Sequence, residues 1–196
     1  MDQFEYVMVL VSIIIGLGIT RILVGVGGII DRQSRKSNRL ELSLAHASWL
    51  GYCFTWLVLF WWWEFRFSIR VSEWTIGLYL FLIGYAVTLF LIQAVLVPRT
   101  WDGVTNLKDY FLERRLWFYS LFLFATILDQ IDSYLKGGFE YLLDTGPINL
   151  AFAAVTLPVV LIGIRTANLR FHNFVATVFL GWQVLIGFGV FGNLVS

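Results

Sequence analysis

The sequence predicts an all-α integral membrane protein, folded as a single bundle of six transmembrane helices. Of its 196 residues, 59% are hydrophobic and only 14% are charged, whereas about 25% are charged in an ordinary soluble domain. The mean hydropathy is +0.77. A net charge of +1 and a single cysteine, Cys53, exclude a nucleic-acid binder and a disulfide scaffold, and the high apolar content excludes a disordered chain.

The six predicted helices follow from segment length. A helix needs about 20 mostly apolar residues to cross a hydrocarbon core of ~30 Å. Segments of this kind lie at approximately 5–30, 43–65, 74–97, 116–135, 148–164 and 174–194, within one domain covering 1–196. No small-residue cleavage site follows the first segment, so we expect a retained helix. Between the third and fourth spans, the apolar spacing of Val104, Leu107 and Phe111 predicts an interfacial helix at approximately 101–115.

The distribution of basic residues predicts the orientation, because lysine and arginine are retained on the cytoplasmic side. Ten basic residues fall in the connections that follow the first, third and fifth spans, and three fall on the opposite face: Arg66, Arg70 and Lys136. We therefore expect both termini on the outer, periplasmic side. The tryptophans Trp61, Trp62 and Trp63 are expected at the outer interface, with lipid as their surroundings.

Arg21 is the first charged residue placed inside a predicted span. It shares one helix face with Gly18, Gly25 and Gly28, since the spacings are three and four residues. Glycines allow a neighbouring helix to approach closely, so Arg21 would point into a helix–helix contact. The alternative is a structural arginine that reaches toward the cytoplasm or caps carbonyl groups. Intramembrane charge is costly, and this makes Arg21 a candidate functional residue.

The fourth span carries two acidic residues, Asp129 and Asp132, on one helix face. Two carboxylates in a low-dielectric site cannot both ionise cheaply, so the pair could bind a proton or a cation. Asp129 lies deeper and is expected in an interior polar site, whereas Asp132 is expected to form an ion pair with Arg66 or Lys136. Other candidates for this polar site come from other spans: Glu5, Glu64, Gln93 and Gln183. The two glutamines are expected to hydrogen-bond between helices.

His46 and His172 lie at similar depth near the cytoplasmic ends of the second and sixth spans. Two imidazoles could ligate haem or a metal ion. No cysteine cluster or H-E-x-x-H motif accompanies them, so the favoured interpretation is amphipathic helix-end residues, with no cofactor. Cys53 is expected to be a small packing residue.

Three motifs resemble a widespread family of small, uncharacterised bacterial inner-membrane proteins. They are the stretch from Glu5 to Arg21, the Trp-Trp-Trp-Glu-Phe-Arg that ends at Arg66, and the segment 109–118. The similarity covers most of the chain. It implies a bacterial cytoplasmic membrane and no particular activity. It also implies a skeleton of polar residues: Glu5, Arg21, Glu64, Arg66, Asp109, Glu113, Arg114 and Arg115.

The intramembrane charges favour a multi-pass protein that conducts, transports or binds a small ion or solute through a polar interior containing Arg21, Asp129 and Gln183. One alternative is an accessory subunit that recognises another membrane protein. A second alternative is a redox protein that binds haem or a quinone. No nucleophile elbow, phosphate loop or catalytic triad is visible, so an enzyme is not expected. A homo-oligomer is expected.

Overall fold

The computed structural model describes residues 3–35, 39–71, 74–144 and 147–187. These residues form six α-helices and no strand, which confirms the all-α class. The helices are α1 (Gln3–Ser34), α2 (Leu44–Arg70), α3 (Ile76–Leu96), α4 (Leu107–Asp144), α5 (Pro147–Arg165) and α6 (Leu169–Leu185).

Three of the described helices, α1, α2 and α3, are long and apolar enough to cross a membrane. A shorter apolar stretch of α5, Leu150–Arg165, falls below that length. The protein is therefore consistent with a membrane location. Of the expected sixth span, 174–194, residues 188–194 lie outside the described part of the chain.

The expected interfacial helix at 101–115 is not a separate element. Residues 101–106 form a loop, and residues 107–115 are the first turns of α4. The helix begins at Leu107 because the Asn106 side chain accepts a hydrogen bond from the backbone N–H of Lys108 at 2.8 Å. Residues 107–136 contain no proline or glycine, so the helix continues from the basic segment into the apolar one. The apolar content of a segment therefore predicts which part of a helix prefers lipid, whereas the capping residues determine where the helix itself begins and ends.

α4 bends sharply at Gly137 and Gly138, after which helical turns continue to Asp144. Gly138 has φ of 70°, a left-handed conformation that glycine adopts without steric cost. α6 also starts earlier than its apolar segment predicts, because the Asn168 side chain accepts a hydrogen bond from the N–H of Arg170 at 3.0 Å.

α2 lies at the centre of the bundle and contacts α1, α3, α4 and α6, while α3 packs between α1 and α4, and α5 packs against α4. Gly163 of α5 lies so close to α4 that an added Cβ would fall 2.7 Å from the Tyr119 ring. The core is rich in aromatic side chains centred on Trp49 of α2, whose ring packs against three rings of α4 and α6: Phe118, Phe122 and Phe179.

Helices α1, α3 and α5 all end on the same side of the bundle, which we call the basic end. We call the opposite side the cavity end. At the basic end, three consecutive carbonyl groups at the finish of α3 each accept a hydrogen bond from a different helix. Tyr110 of α4 donates to Val95 at 3.2 Å, His46 of α2 donates to Leu96 at 2.8 Å, and Arg21 of α1 donates to Val97 at 3.0 Å. These carbonyls lack partners within their own helix, so α3 is capped by its neighbours.

Candidate functional site

A buried ion-pair cluster links α2 to α4 near the cavity end. The ammonium group of Lys136 donates to Oε1 of Glu64 at 3.2 Å and also to Oδ2 of Asp132, one helical turn before it. The three residues are 5%, 2% and 3% exposed, respectively. Breaking such a buried pair strands a charge in a low-dielectric interior, so the cluster fixes the position of α4 against α2.

Asp129 lies one turn nearer the basic end on α4 and has its own partners. Its Oδ1 accepts a hydrogen bond from the Tyr85 hydroxyl of α3 at 3.1 Å, and its Oδ2 accepts one from the Gln130 amide at 3.3 Å. Both carboxyl oxygens of Asp129 therefore have hydrogen-bond partners within the protein. The polar interior therefore draws together α2, α3 and α4.

A cavity of about 80 Å³ adjoins these acids. A single water needs only about 10–15 Å³ of such volume, so the cavity can hold several waters or a small ion. Its polar lining comes from α2, α4 and α6: Glu64, Arg66, Thr126, Asp129, Asp132, Ser133, Lys136, Tyr141 and Gln183. This is the feature of the described structure that most resembles a binding site.

Three polar atoms on the cavity lining are buried without a hydrogen-bond partner. They are Oε2 of Glu64, Oδ1 of Asp132 and Nε2 of Gln183. Gln183 belongs to α6 and is 7% exposed. Buried polar groups are normally satisfied, and leaving one unsatisfied costs about 1–3 kcal/mol. Two acceptors and one donor on residues that line a common cavity therefore point to a polar occupant.

Toward the basic end, aromatic rings close the cavity. Tyr52 and Trp56 of α2 line it, and their rings pack against Phe122 at centroid distances of 5.5 and 5.8 Å. Trp49 packs beneath them against the same ring at 5.1 Å. The polar site is therefore separated from the basic end by a layer of packed aromatic side chains.

Aromatic side chains also line the cavity on its α5 side and at the cavity end of the bundle. Phe152 of α5 and Trp182 of α6 stack at 6.3 Å with an interplanar angle of 14°. At the cavity end, Arg66 donates a hydrogen bond to the Tyr141 hydroxyl at 2.6 Å. Arg66 and Trp63 line the cavity and are partly exposed, so the approach to the acids lies on this side.

The structure brings together five of the candidate residues named from the sequence and leaves three apart. Glu64, Arg66, Asp129, Asp132 and Gln183 line the cavity. Arg21 caps α3 at the basic end, which corresponds to the structural alternative for this residue. Glu5 is exposed in the first turn of α1.

Gln93, the third residue set apart, lies in the core formed with α1 and α2. Its amide nitrogen donates to the Leu89 carbonyl of its own helix at 3.1 Å. The Gln93 side chain also interacts with the Cys53 side chain of α2, so it contacts a neighbouring helix as well as its own.

The two histidines make separate hydrogen bonds to the protein. His46 donates to the Leu96 carbonyl. His172 donates from Nε2 to the Thr166 carbonyl at 3.1 Å and accepts at Nδ1 from the Tyr119 hydroxyl at 2.9 Å. Both ring nitrogens of His172 are thus engaged in this arrangement. Within the described ranges, no group of three or more His, Cys, Asp or Glu side chains is placed to hold a metal ion.

The sequence predicted Lys136 as one of two possible ion-pair partners of Asp132, and the structure shows this pair, whose four-residue spacing places both side chains on one helix face. The sequence missed the burial of Lys136, which was assigned to the outer face, and its second ion pair, with Glu64. Tyr85 was also missed, because a tyrosine within an apolar span gives no sign of its hydroxyl partner.

Comparison with models of known protein families, with curated proteins and with solved structures finds no match to this chain. The resemblance carried by the motifs near Arg21, Arg66 and Asp109 therefore stays a prediction. The fold and the cavity define the protein only as a helical protein with three helices of membrane-spanning character and a buried, acid-lined cavity.

Proposed function

We propose that this chain is a multi-pass protein of a bacterial inner membrane that binds a small cation in the acid-lined cavity and carries it across the membrane. The single observation that carries the proposal is the pair of unpartnered carboxyl oxygens on Glu64 and Asp132, two residues that line one cavity. Charged groups inside an apolar bundle are costly and mark ion or substrate sites.

Six crossings are supported by packing as well as by hydropathy. α4 packs along α3, and α6 packs along α2, so these helices share the environment of helices that are long and apolar enough to cross a membrane. Large apolar side chains are exposed on each of the last three helices, as in Phe124 of α4, Val155 of α5 and Val178 of α6. Contiguous exposed apolar surface of this kind suits contact with lipid.

The basic end is proposed to face the cytoplasm, with both termini outside. Arg35, Arg165 and Arg170 are among the basic side chains there. The bias of lysine and arginine toward one set of connections supports this orientation. In this orientation the cavity opens toward the periplasm.

An aromatic layer blocks the cavity toward the basic end: Trp49, Tyr52, Trp56 and Phe122. This layer supports a binding site that is open on one side rather than a continuous pore. A cation bound in the cavity could leave toward the basic end only if those rings separate. Carriers that expose a fixed site to each side in turn work in this way. Transport would therefore be slow and saturable.

The proposal is tested with the purified full chain reconstituted in liposomes. Uptake of tracer Na⁺, K⁺ and Cl⁻ and acidification of the lumen are measured for the wild type, Glu64→Gln and Asp132→Asn. We expect saturable movement of one cation, reduced at least tenfold in both variants, because each removes a cavity carboxylate.

The matched control is Glu113→Gln, which neutralises a carboxylate whose side chain is 73% exposed on α4. It should transport as the wild type does. Fluxes indistinguishable from those of protein-free liposomes for all four ions would contradict the proposal.

A further inference from the structure

The described residues around the cavity hold more acid than base. Glu64, Asp129 and Asp132 contribute three carboxyl groups against two basic groups, the buried Lys136 between two of them and the partly exposed Arg66. Surplus negative charge is expensive in a low-dielectric interior. A bound positive species would relieve this cost, and the chemistry of the site limits which species it can be.

Glu64 and Asp132 are arranged to share that species. Each uses one oxygen to hold the same Lys136 nitrogen, so the two carboxyl groups are separated by no more than two hydrogen bonds, about 6 Å. Each also has one buried oxygen without a partner, Oε2 of Glu64 and Oδ1 of Asp132. Two carboxyl groups this close cannot both ionise cheaply, so the pair can hold one proton on either of these two oxygens.

Gln183 provides an independent indication that the cavity is wet. It is 7% exposed, comes from α6, and lines the cavity with an unpartnered Nε2. An amide N–H donor does not ligate a cation, but it does bind the oxygen of a water. The cavity has room for several waters, and waters can deliver a proton to the acids.

A metal ion fits this donor set less well than a proton does. The described ranges contain no group of three or more His, Cys, Asp or Glu side chains placed to hold a metal. The position between Glu64 and Asp132, where a metal would bind both carboxylates, is taken by the Lys136 ammonium. A proton needs one oxygen and can bind on the side of either carboxylate that is turned away from Lys136.

We infer that the cation handled by this cavity is the proton, held as one exchangeable proton by the Glu64–Asp132 pair with Lys136 as the fixed positive charge. This rests on the proposed function and specifies its substrate. Loading transfers a proton from hydronium to a carboxylate oxygen and leaves water. Release returns the proton to water and restores the carboxylate, with no change of oxidation state.

The other groups that face the pair come from α2, α3 and α4, while α6 contributes the neutral Gln183 and α5 the apolar Phe152. The charged or titratable groups among them are Asp129 and Lys136 on α4, Arg66 and Tyr52 on α2, Tyr85 on α3, and Tyr141 beyond the α4 bend. Both oxygens of Asp129 have hydrogen-bond partners, whereas Glu64 and Asp132 each keep one oxygen without a partner, so we assign the exchangeable proton to the pair.

The test is infrared difference spectroscopy on the full chain in lipid vesicles, titrated with pH. The wild type should show the carbonyl stretch of a protonated carboxyl group, which decays as pH rises. We expect this band to be lost in both Glu64→Gln and Asp132→Asn, because each variant removes one half of the shared site. Glu113→Gln, which changes an exposed carboxylate, should retain it.

A second arm uses only the wild type and so does not depend on how the variants fold. Replacing an organic chloride salt by NaCl or KCl at constant ionic strength should leave the midpoint of the band unchanged. A midpoint that moves with Na⁺ or K⁺, the absence of the band, or its survival in both variants would overturn the inference. Sodium flux in the absence of the band would support the proposed function and contradict the proton inference. The band in the absence of any ion flux would support the proton inference and contradict the proposed function.

Discussion

Arg21 shows why a charged residue within an apolar helix need not belong to a binding site. Its guanidinium donates to the Val97 carbonyl at the finish of α3, where the helix has no backbone donor left to offer. The positive charge also suits the negative end of the helix dipole. Arg21 therefore contributes to stability at the basic end, while the cavity acids lie on the other side of the aromatic layer.

We expect Arg21→Met to reduce the free energy of unfolding by about 1–3 kcal/mol, the usual range for a hydrogen bond to a charged group. Cation transport per folded molecule should be unchanged. Equilibrium unfolding in mixed detergent micelles measures the first quantity, and liposome uptake measures the second.

Thr20→Val is the matched control for Arg21→Met, because Thr20 is exposed on the same helix and its hydroxyl bonds only within α1. It should alter stability far less. A variant of Arg21 that unfolds like the wild type but transports nothing would assign Arg21 to the ion path.

At the scale of elements, the bend in α4 determines where the cluster sits. α4 remains helical up to Lys136, which keeps that residue one turn beyond Asp132 and opposite Glu64. Gly138 then redirects the chain through a positive φ, and Tyr141 returns to Arg66. The sequence alone did not show that Lys136 lies before this bend and inside the bundle.

A side chain at position 138 should therefore be unfavourable. We expect Gly138→Ala to cost about 1–2 kcal/mol, since left-handed backbone is strained for any residue with a Cβ. Gly84→Ala is the control, because Gly84 is exposed within α3 and a Cβ there meets no atom within 4 Å.

The control substitution should be neutral or should stabilise the helix by up to about 1 kcal/mol. Equilibrium unfolding of the two variants side by side provides the measurement. Equal effects at positions 138 and 84 would mean that the bend imposes no backbone requirement.

For the whole molecule, long apolar segments were sufficient to predict six helices, and capping residues such as Asn106 and Asn168 explain where the observed ends differ. The site was only half predictable. Asp129 and Asp132 share a helix face, so their proximity follows from spacing. The meeting of Glu64, Lys136 and Gln183 depends on how three helices align with one another, which no local pattern encodes.

The proposed topology makes a prediction about accessibility. Single cysteines introduced at Glu41, Asp102 and Ala167 would lie in the connections of the basic end, and those at Thr75 and Glu140 would lie at the cavity end. In intact bacterial cells, a membrane-impermeant maleimide should label only the cysteines at positions 75 and 140. The buried Cys53 should not react.

Lysed cells should give labelling at all five introduced positions, which verifies that each is reactive. Labelling of both sets in intact cells would rule out a bundle whose two ends lie on opposite sides of the membrane.

The capping of α3 has a consequence for the order in which the protein is made. The carbonyls of Val95, Leu96 and Val97 take their donors from α4, α2 and α1, and Tyr110 is synthesised after α3 itself is complete. Until α4 begins to emerge, the finish of α3 lacks one of its donors. The Val95 carbonyl therefore gains its Tyr110 partner only after the start of the fourth helix has been synthesised.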